Sequence, residues 1–308
     1  MVRIQKLVYG IYPRSEALRV RIGRWERGLF SSKELIGTME KEKLEHYTGN
    51  IMENKIDFFT DPLFNWNDIF RPLCPIIDGI VLGPLTRYRN TNTFYRRPEI
   101  YGRLKLSSQE KSSPDQFDTL GFPMYSNPGF GEFYGFLPSP LSFLKMADIK
   151  SGNSDNILRD LIDIYSELMD RYDLKKILLY EAIPYSREDR IGFLDQLNEN
   201  FSTILVSTGR IYEENFKGMK SEFFAITSPM GNEVPVMVKH AKVAGIETLN
   251  SFSTSTKVDE KSPSMVADIA DQNDLDRIII THNDYLDFLP REIADKKLAI
   301  MGRMGVIK

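Results

Sequence analysis

The sequence predicts a TIM-type (β/α)8 barrel with a β-hairpin insertion near the carboxyl-terminal face of the barrel. Three observations carry this. Short apolar runs alternate with helical patterns eight times, which is the rhythm of a parallel sheet wrapped in helices. The length of 308 residues fits a barrel of about 250 residues plus an excursion. The final apolar run, Ile278 to Ile280, ends in a polar tip and then a helical pattern, one β/α unit with its tip where such barrels keep their chemistry.

Taken in order, Leu7 to Tyr12 reads as the first strand, ended by Pro13-Arg14-Ser15. Ser15 can cap a helix through Leu18, Ile22 and Trp25, because a serine oxygen there accepts an unpaired first-turn N–H. Ser31-Ser32 followed by Glu34 reads as a capping box for a second helix. Ile56 to Thr60 is the second strand, and residues 69–80 read as helical, broken by two prolines. Residues 82–132 are irregular, rich in Pro, Gly, Asn, Tyr and Arg. A structureless stretch of that length is unusual in a compact domain, so it reads as a hairpin insertion covering the barrel mouth.

The barrel resumes at Phe133 to Leu137. Ile157, Leu161, Ile162, Tyr165, Leu168 and Met169 mark the cleanest amphipathic helix. Strands follow at 176–180, 203–207, 223–227, 248–253 and 277–281, each with a helical pattern after it. Pro290 suits the start of the last helix, where its missing N–H costs nothing. With no linker evident, residues 1–308 read as one domain.

Composition narrows the function. The chain is 42% hydrophobic, and its net charge of -3 argues against a nucleic-acid surface. No apolar run approaches the roughly 18 residues of a membrane span, and Met-Val-Arg-Ile-Gln-Lys is no signal peptide. The single cysteine, Cys74, excludes an intramolecular disulfide and a multi-thiolate zinc site, and fits a cytoplasmic protein. His46 and His240 read as surface positions on helical patterns.

The closing unit, His282-Asn283-Asp284-Tyr285-Leu286 followed by Leu289-Pro290-Arg291, Ala294 and Lys297-Leu298, resembles the end of the barrel in cobalamin-independent methionine synthases. Further pieces in the same order are similar: Gly10 to Ser15, Asp61 to Phe70, Asn90 to Pro98, and Leu137-Pro-Ser-Pro-Leu-Ser-Phe143. The resemblance implies methyl transfer to homocysteine by zinc held through a His-x-Cys pair after strand five, a Glu after strand six and a closing Cys. Here Ser207-Thr208-Gly209 stands after strand five, Thr227-Ser228-Pro229 after strand six, with Glu233 further on, and Asp284 replaces the closing Cys. Zinc is therefore not expected. At strand four the family's Asp-Glu-Pro-Ala is Tyr180-Glu181-Ala182-Ile183, so one acid survives.

Metal and substrate positions depart together, which points to a non-catalytic relative. The zinc-less amino-terminal barrel of two-barrel members is the precedent; there, basic residues of the first helix help hold the folate tail. By that likeness Arg14, Arg19 and Arg21 are expected to bind carboxylates of a methyl-folate donor, with Trp66 and Asn92 beside it. A separate zinc-bearing barrel is the expected partner. The alternatives are a methyltransferase with another metal or none, with Glu181, His282 and Asp284 as its catalytic candidates, and a binding protein for another small acid. Each candidate also has a plain reading. His282 suits a hydrogen-bonded rim histidine, Asp284 a cap, Glu181 an ion pair, Trp66 packing under a loop, and the hairpin arginines a solvated face.

Overall fold

The computed structural model describes residues 2–89, 91–107, 131–229, 231–257 and 262–305. Strand β1 (Arg3–Val8) leads to helix α1 (Glu16–Glu26), where Ser15 accepts from the Leu18 N–H at 3.1 Å. Helix α2 (Ser32–His46) starts on the Ser31–Glu34 capping box and runs into a π-helical turn at Tyr47–Met52. Strand β2 (Phe58–Phe59) follows.

The chain then leaves the barrel. Strands β3 (Ile77–Arg87) and β4 (Phe94–Leu106) form an antiparallel hairpin. The hairpin thus starts at Ile77, before the expected boundary at Leu82. Residues 69–80 are not helical either. Pro72 and Pro75 remove two N–H donors, and only a 3-10 turn at Cys74–Ile76 survives before β3 extends. Gly79 bulges this strand at φ 93, and a Cβ there would lie 2.5 Å from the Arg103 carbonyl. Residues 108–130 of the expected insertion lie outside the described residues.

Strands β5 (Glu132–Phe133) and β6 (Gly135–Pro138) return to the barrel, followed by α3 (Pro140–Met146) and β7 (Asp148–Ser151), which joins the hairpin beside β4. The remaining units are α4 (Ser154–Arg171), β8 (Lys176–Glu181), α5 (Asp195–Asn200), β9 (Ser202–Ser207), β10 (Phe223–Ser228), α6 (Val234–Met237), β11 (Ala241–Leu249), α7 (Ser262–Gln272), β12 (Arg277–His282) and α8 (Arg291–Arg303).

Barrel closure rests on residues 132–138. β5 pairs with β2, β6 pairs with β8, and the Tyr134 N–H between them bonds the Phe59 carbonyl at 2.9 Å. The two short strands are one barrel stave with a different neighbour on each side. The parallel order then runs β2-β1-β12-β11-β10-β9-β8-β6 and returns to β2, giving eight staves without a free edge.

Two expectations fail around β10 and β11. The full helices expected after strands five and six are reduced to a 3-10 turn at Glu213–Phe216 and the single turn of α6. β11 starts at Ala241, not Thr248, because small residues mask its pattern. Gly245 is one of them: a Cβ there would sit 2.7 Å from Thr227 Cγ2.

Helix α4 matches its pattern, burying Ile157, Leu161, Ile162, Ile164, Tyr165, Leu168 and Met169. Each such side chain contributes roughly 1.5–3 kcal/mol by leaving water. Asp160 on the same helix is buried, accepting from Arg103 Nε at 2.8 Å and the Leu104 N–H at 2.8 Å, which fastens β4 to the barrel wall. No helix among the described residues is long and apolar enough to cross a membrane.

Candidate functional site

The carboxyl ends of the staves meet the hairpin tip. Arg89, at a strained φ of 50, turns its guanidinium onto buried Asp284, Nη1 to Oδ2 2.8 Å. The other oxygen, Oδ1, accepts from the Tyr180 hydroxyl at 2.7 Å and the Tyr285 N–H at 2.8 Å. Tyr180 spends its proton there, so Tyr88 donates to the Tyr180 oxygen across 3.1 Å. Burial pushes the Asp284 carboxyl above the usual range, while Arg89, Tyr180 and Tyr285 pull it back. The hairpin arginines are therefore not simply a solvated face. Arg89 plugs the mouth, Arg96 bonds the Gly83 carbonyl and Arg97 the Ala147 carbonyl.

His282 is fully buried and stacked on Tyr9 with ring centroids 4.1 Å apart. Its Nε2 accepts from the Tyr9 N–H at 3.1 Å, and its Nδ1 lies 2.8 Å from the Asp284 carbonyl. An N–H only donates and a carbonyl only accepts. The ring is thus fixed as the neutral Nδ1–H tautomer, with both nitrogens engaged. Burial lowers its pKa to about 4. A ligand or base role would need a free nitrogen, and His282 has none.

Glu181 does not join this group. It is buried against α3, where the Ser142 hydroxyl donates to Oε1, and it is Tyr180 that enters the mouth from β8. Burial raises the Glu181 pKa to about 7, with Ser142 and Ser139 opposing. Tyr180 crosses the mouth from β8 to Asp284, but its neighbour Glu181 is turned to Ser142 of α3, so Glu181 stands apart from His282 and Asp284.

The basic residues divide. Arg14 and Arg19 line a cavity of about 400 Å³ with Tyr12, Asp287 and Pro290. Arg14 is tied to the Phe64 carbonyl at 2.6 Å and the Trp66 carbonyl at 2.5 Å. Arg21 turns away to Thr38 Oγ1 at 2.6 Å. Trp66 is 1% exposed and meets Phe136 edge-on, so it packs rather than offering a face. Asn92 is exposed near the hairpin tip. Tyr12 and Tyr95 are buried, their hydroxyls given to Asp295 and the Met146 carbonyl.

Two further histidine readings change. His46 is buried, not a surface residue, and tilts against Tyr12. His240 precedes β11 instead of lying on a helix, and stacks on Phe216 at 4.0 Å. Cys74 is buried, as its apolar setting implies, and burial raises its thiol pKa to about 12.

Sequence reasoning missed Glu247. Lys6 reaches outward to the Gly302 carbonyl of α8 at 3.1 Å. Strand alternation then turns Ile279 and Thr281 inward, and Glu247, paired with Thr281, faces inward with them. Its Oε1 is buried without a hydrogen-bond partner among the described residues. Burial, the Asp284 charge and Glu233 push its pKa far up, against Arg89.

The donor set does not fit zinc. Among the described residues no group of three or more His, Cys, Asp or Glu side chains could hold a metal ion. At the strand-five tip Ser207 bonds the Gly209 carbonyl at 3.0 Å and Thr208 bonds the Glu181 carbonyl at 3.0 Å. Glu233 is held by the Ser228 hydroxyl and by Arg210 at 3.4 Å.

No protein-family profile and no curated protein matches the chain. Solved structures do. A B12-independent methionine synthase from Shewanella sp. W3-18-1, in complex with selenomethionine, superposes with a TM-score of 0.65 at 12% identity, covering 89% of this chain and 88% of that one. A putative vitamin-B12-independent methionine synthase from Listeria monocytogenes gives 0.66 at 12% identity, covering 96% and 94%. The fold of this chain is that barrel nearly end to end.

Proposed function

We propose that this chain is a zinc-less barrel of the cobalamin-independent methionine synthase type, acting in the cytoplasm beside a separate zinc-bearing barrel in methionine biosynthesis. One observation carries the reading. At the closing stave, where the resemblance expects a thiolate ligand, Asp284 is saturated by Arg89, Tyr180 and the Tyr285 N–H, and His282 by Tyr9 and the Asp284 carbonyl. A soft cation that activates a thiol needs several sulfur or imidazole donors, and none is free here. Arg14 and Arg19 on their cavity supply cationic groups for the carboxylates of a methyl-folate donor.

A second reading has one observation in its favour. The structural neighbours are barrels of matching length, one a B12-independent methionine synthase and the other a putative one. On that reading the chain would transfer a methyl group to homocysteine alone.

One experiment separates the two. The protein is purified from its native cells and assayed for methionine formation from homocysteine and a methyl-folate, alone and with a zinc-bearing barrel added. The accessory reading expects no turnover alone, and co-purification with or stimulation of the second barrel. Turnover by the isolated chain would replace it with the enzyme reading, and no effect on either count would reject both.

A further inference from the structure

Glu247 is an inward-facing acid, half-buried with its Oε1 out of water, that nothing above uses. Its inward placement brings it under the hairpin tip, near Tyr9, whose hydroxyl pKa is raised first by burial and further by Glu247 and Asp284. Thr227 shares its face of the sheet, since Thr227 Cγ2 abuts the Gly245 position two residues before Glu247. Thr227 is fully buried, and its Oγ1 also lacks a hydrogen-bond partner among the described residues. Two orphaned oxygens on adjacent staves thus face one space. A buried polar group without a partner is costly, and a native protein rarely keeps two side by side for packing alone.

The charges say what would satisfy them. Asp284 is paired with Arg89 and Glu233 with Arg210, which leaves Glu247 as the acid of the mouth without an ion-pair partner among the described residues. Tyr9, Tyr88, Tyr180 and Tyr285 pack around it, with ring centroids of 5.8 Å for Tyr9–Tyr180 and 4.7 Å for Tyr180–Tyr285. Aromatic rings attract organic cations through their electron-rich faces. A metal ion would need more ligating side chains than the one free carboxylate. An ammonium, with three N–H donors, needs a carboxylate, a hydroxyl and a weak third acceptor.

We infer that the barrel mouth is a binding site for a small organic ammonium, anchored by Glu247 and Thr227, with the Arg89 guanidinium as its built-in competitor. Arg89 reaches in from the end of a hairpin arm rather than from a stave, so the cation it supplies is one the site can exchange. The inference does not rest on the accessory-barrel reading; an accessory barrel and an enzyme could each carry such a site.

The test is a titration of the full chain with methylammonium chloride, followed by tyrosine difference absorbance, against sodium chloride at equal ionic strength. Saturable binding is expected with the ammonium and not with sodium. Glu247→Gln should weaken it by about tenfold or more, the usual loss when a charged hydrogen-bond partner is removed. Thr227→Val should weaken it less, and Arg89→Met should tighten it. Glu247→Gln puts a neutral amide of nearly the same shape in place of an acid whose pKa burial raises, so its thermal midpoint should match that of the parent, which keeps the variant folded. Equal responses to sodium and methylammonium, or binding unchanged in Glu247→Gln, would overturn the site. Neither outcome bears on whether a second barrel is stimulated, so the two proposals fail separately.

Discussion

His282 and Glu181 carry opposite pH signatures. The folded pKa of His282 is lowered to about 4 by burial, so the unfolded chain takes up the extra proton as pH falls below the ordinary histidine value of about 6.5. Its contribution is present above that pH and lost on acidification toward 4, about 3 kcal/mol in all. Glu181 runs the other way. Its folded pKa, raised to about 7, keeps it protonated where the unfolded chain has ionised, so stability falls as pH rises from about 4.5 to 7 by a similar amount. The two partly cancel in the parent, and variants separate them. Urea unfolding across pH should show the parent losing ground to Glu181→Gln as pH rises, and to His282→Gln as pH falls. Flat difference curves would contradict the burial assigned to each. Neither role was legible in the sequence. His282 and Asp284 were visible as polar residues at a strand tip, but the N–H that saturates His282 comes from Tyr9, 273 residues away. Glu247 was missed because it follows the small residues that hide β11.

At the scale of elements, helices declared themselves where the local chemistry was sufficient. The Ser31–Glu34 box and the apolar stripe of α4 are both written in consecutive residues. The hairpin was less readable. Its bulges depend on Gly79 meeting the Arg103 carbonyl, and its attachment depends on Asp160, a carboxylate on the buried side of a helix. Its tip is held by Arg89 on Asp284, with the acid fully buried and the arginine 28% exposed. Breaking a buried pair by removing one partner costs about 3 kcal/mol or more, since the other charge is left behind. Arg89→Ala should therefore speed amide hydrogen exchange near residues 85–96 while leaving α4 protected. Unchanged exchange at the tip would mean the ion pair does not hold the hairpin down.

The whole molecule is a barrel whose closure was predicted from alternation and whose mouth was not. Eight staves follow from the repeating pattern and right-handed crossovers, and the solved methionine synthase structures share them nearly end to end. Closure uses one stretch, residues 132–138, to pair with β2 on one side and β8 on the other. That division shortens the strands in a way no propensity displays. The open end of this barrel is filled by tyrosines, a saturated imidazole and an arginine-bound aspartate. The most direct measurement is the zinc content of the protein purified from zinc-replete cells, before and after a competing chelator. The expected result is well under one zinc per chain, none of it retained. One zinc per chain that resists the chelator and is lost in Asp284→Ala or His282→Ala would contradict it.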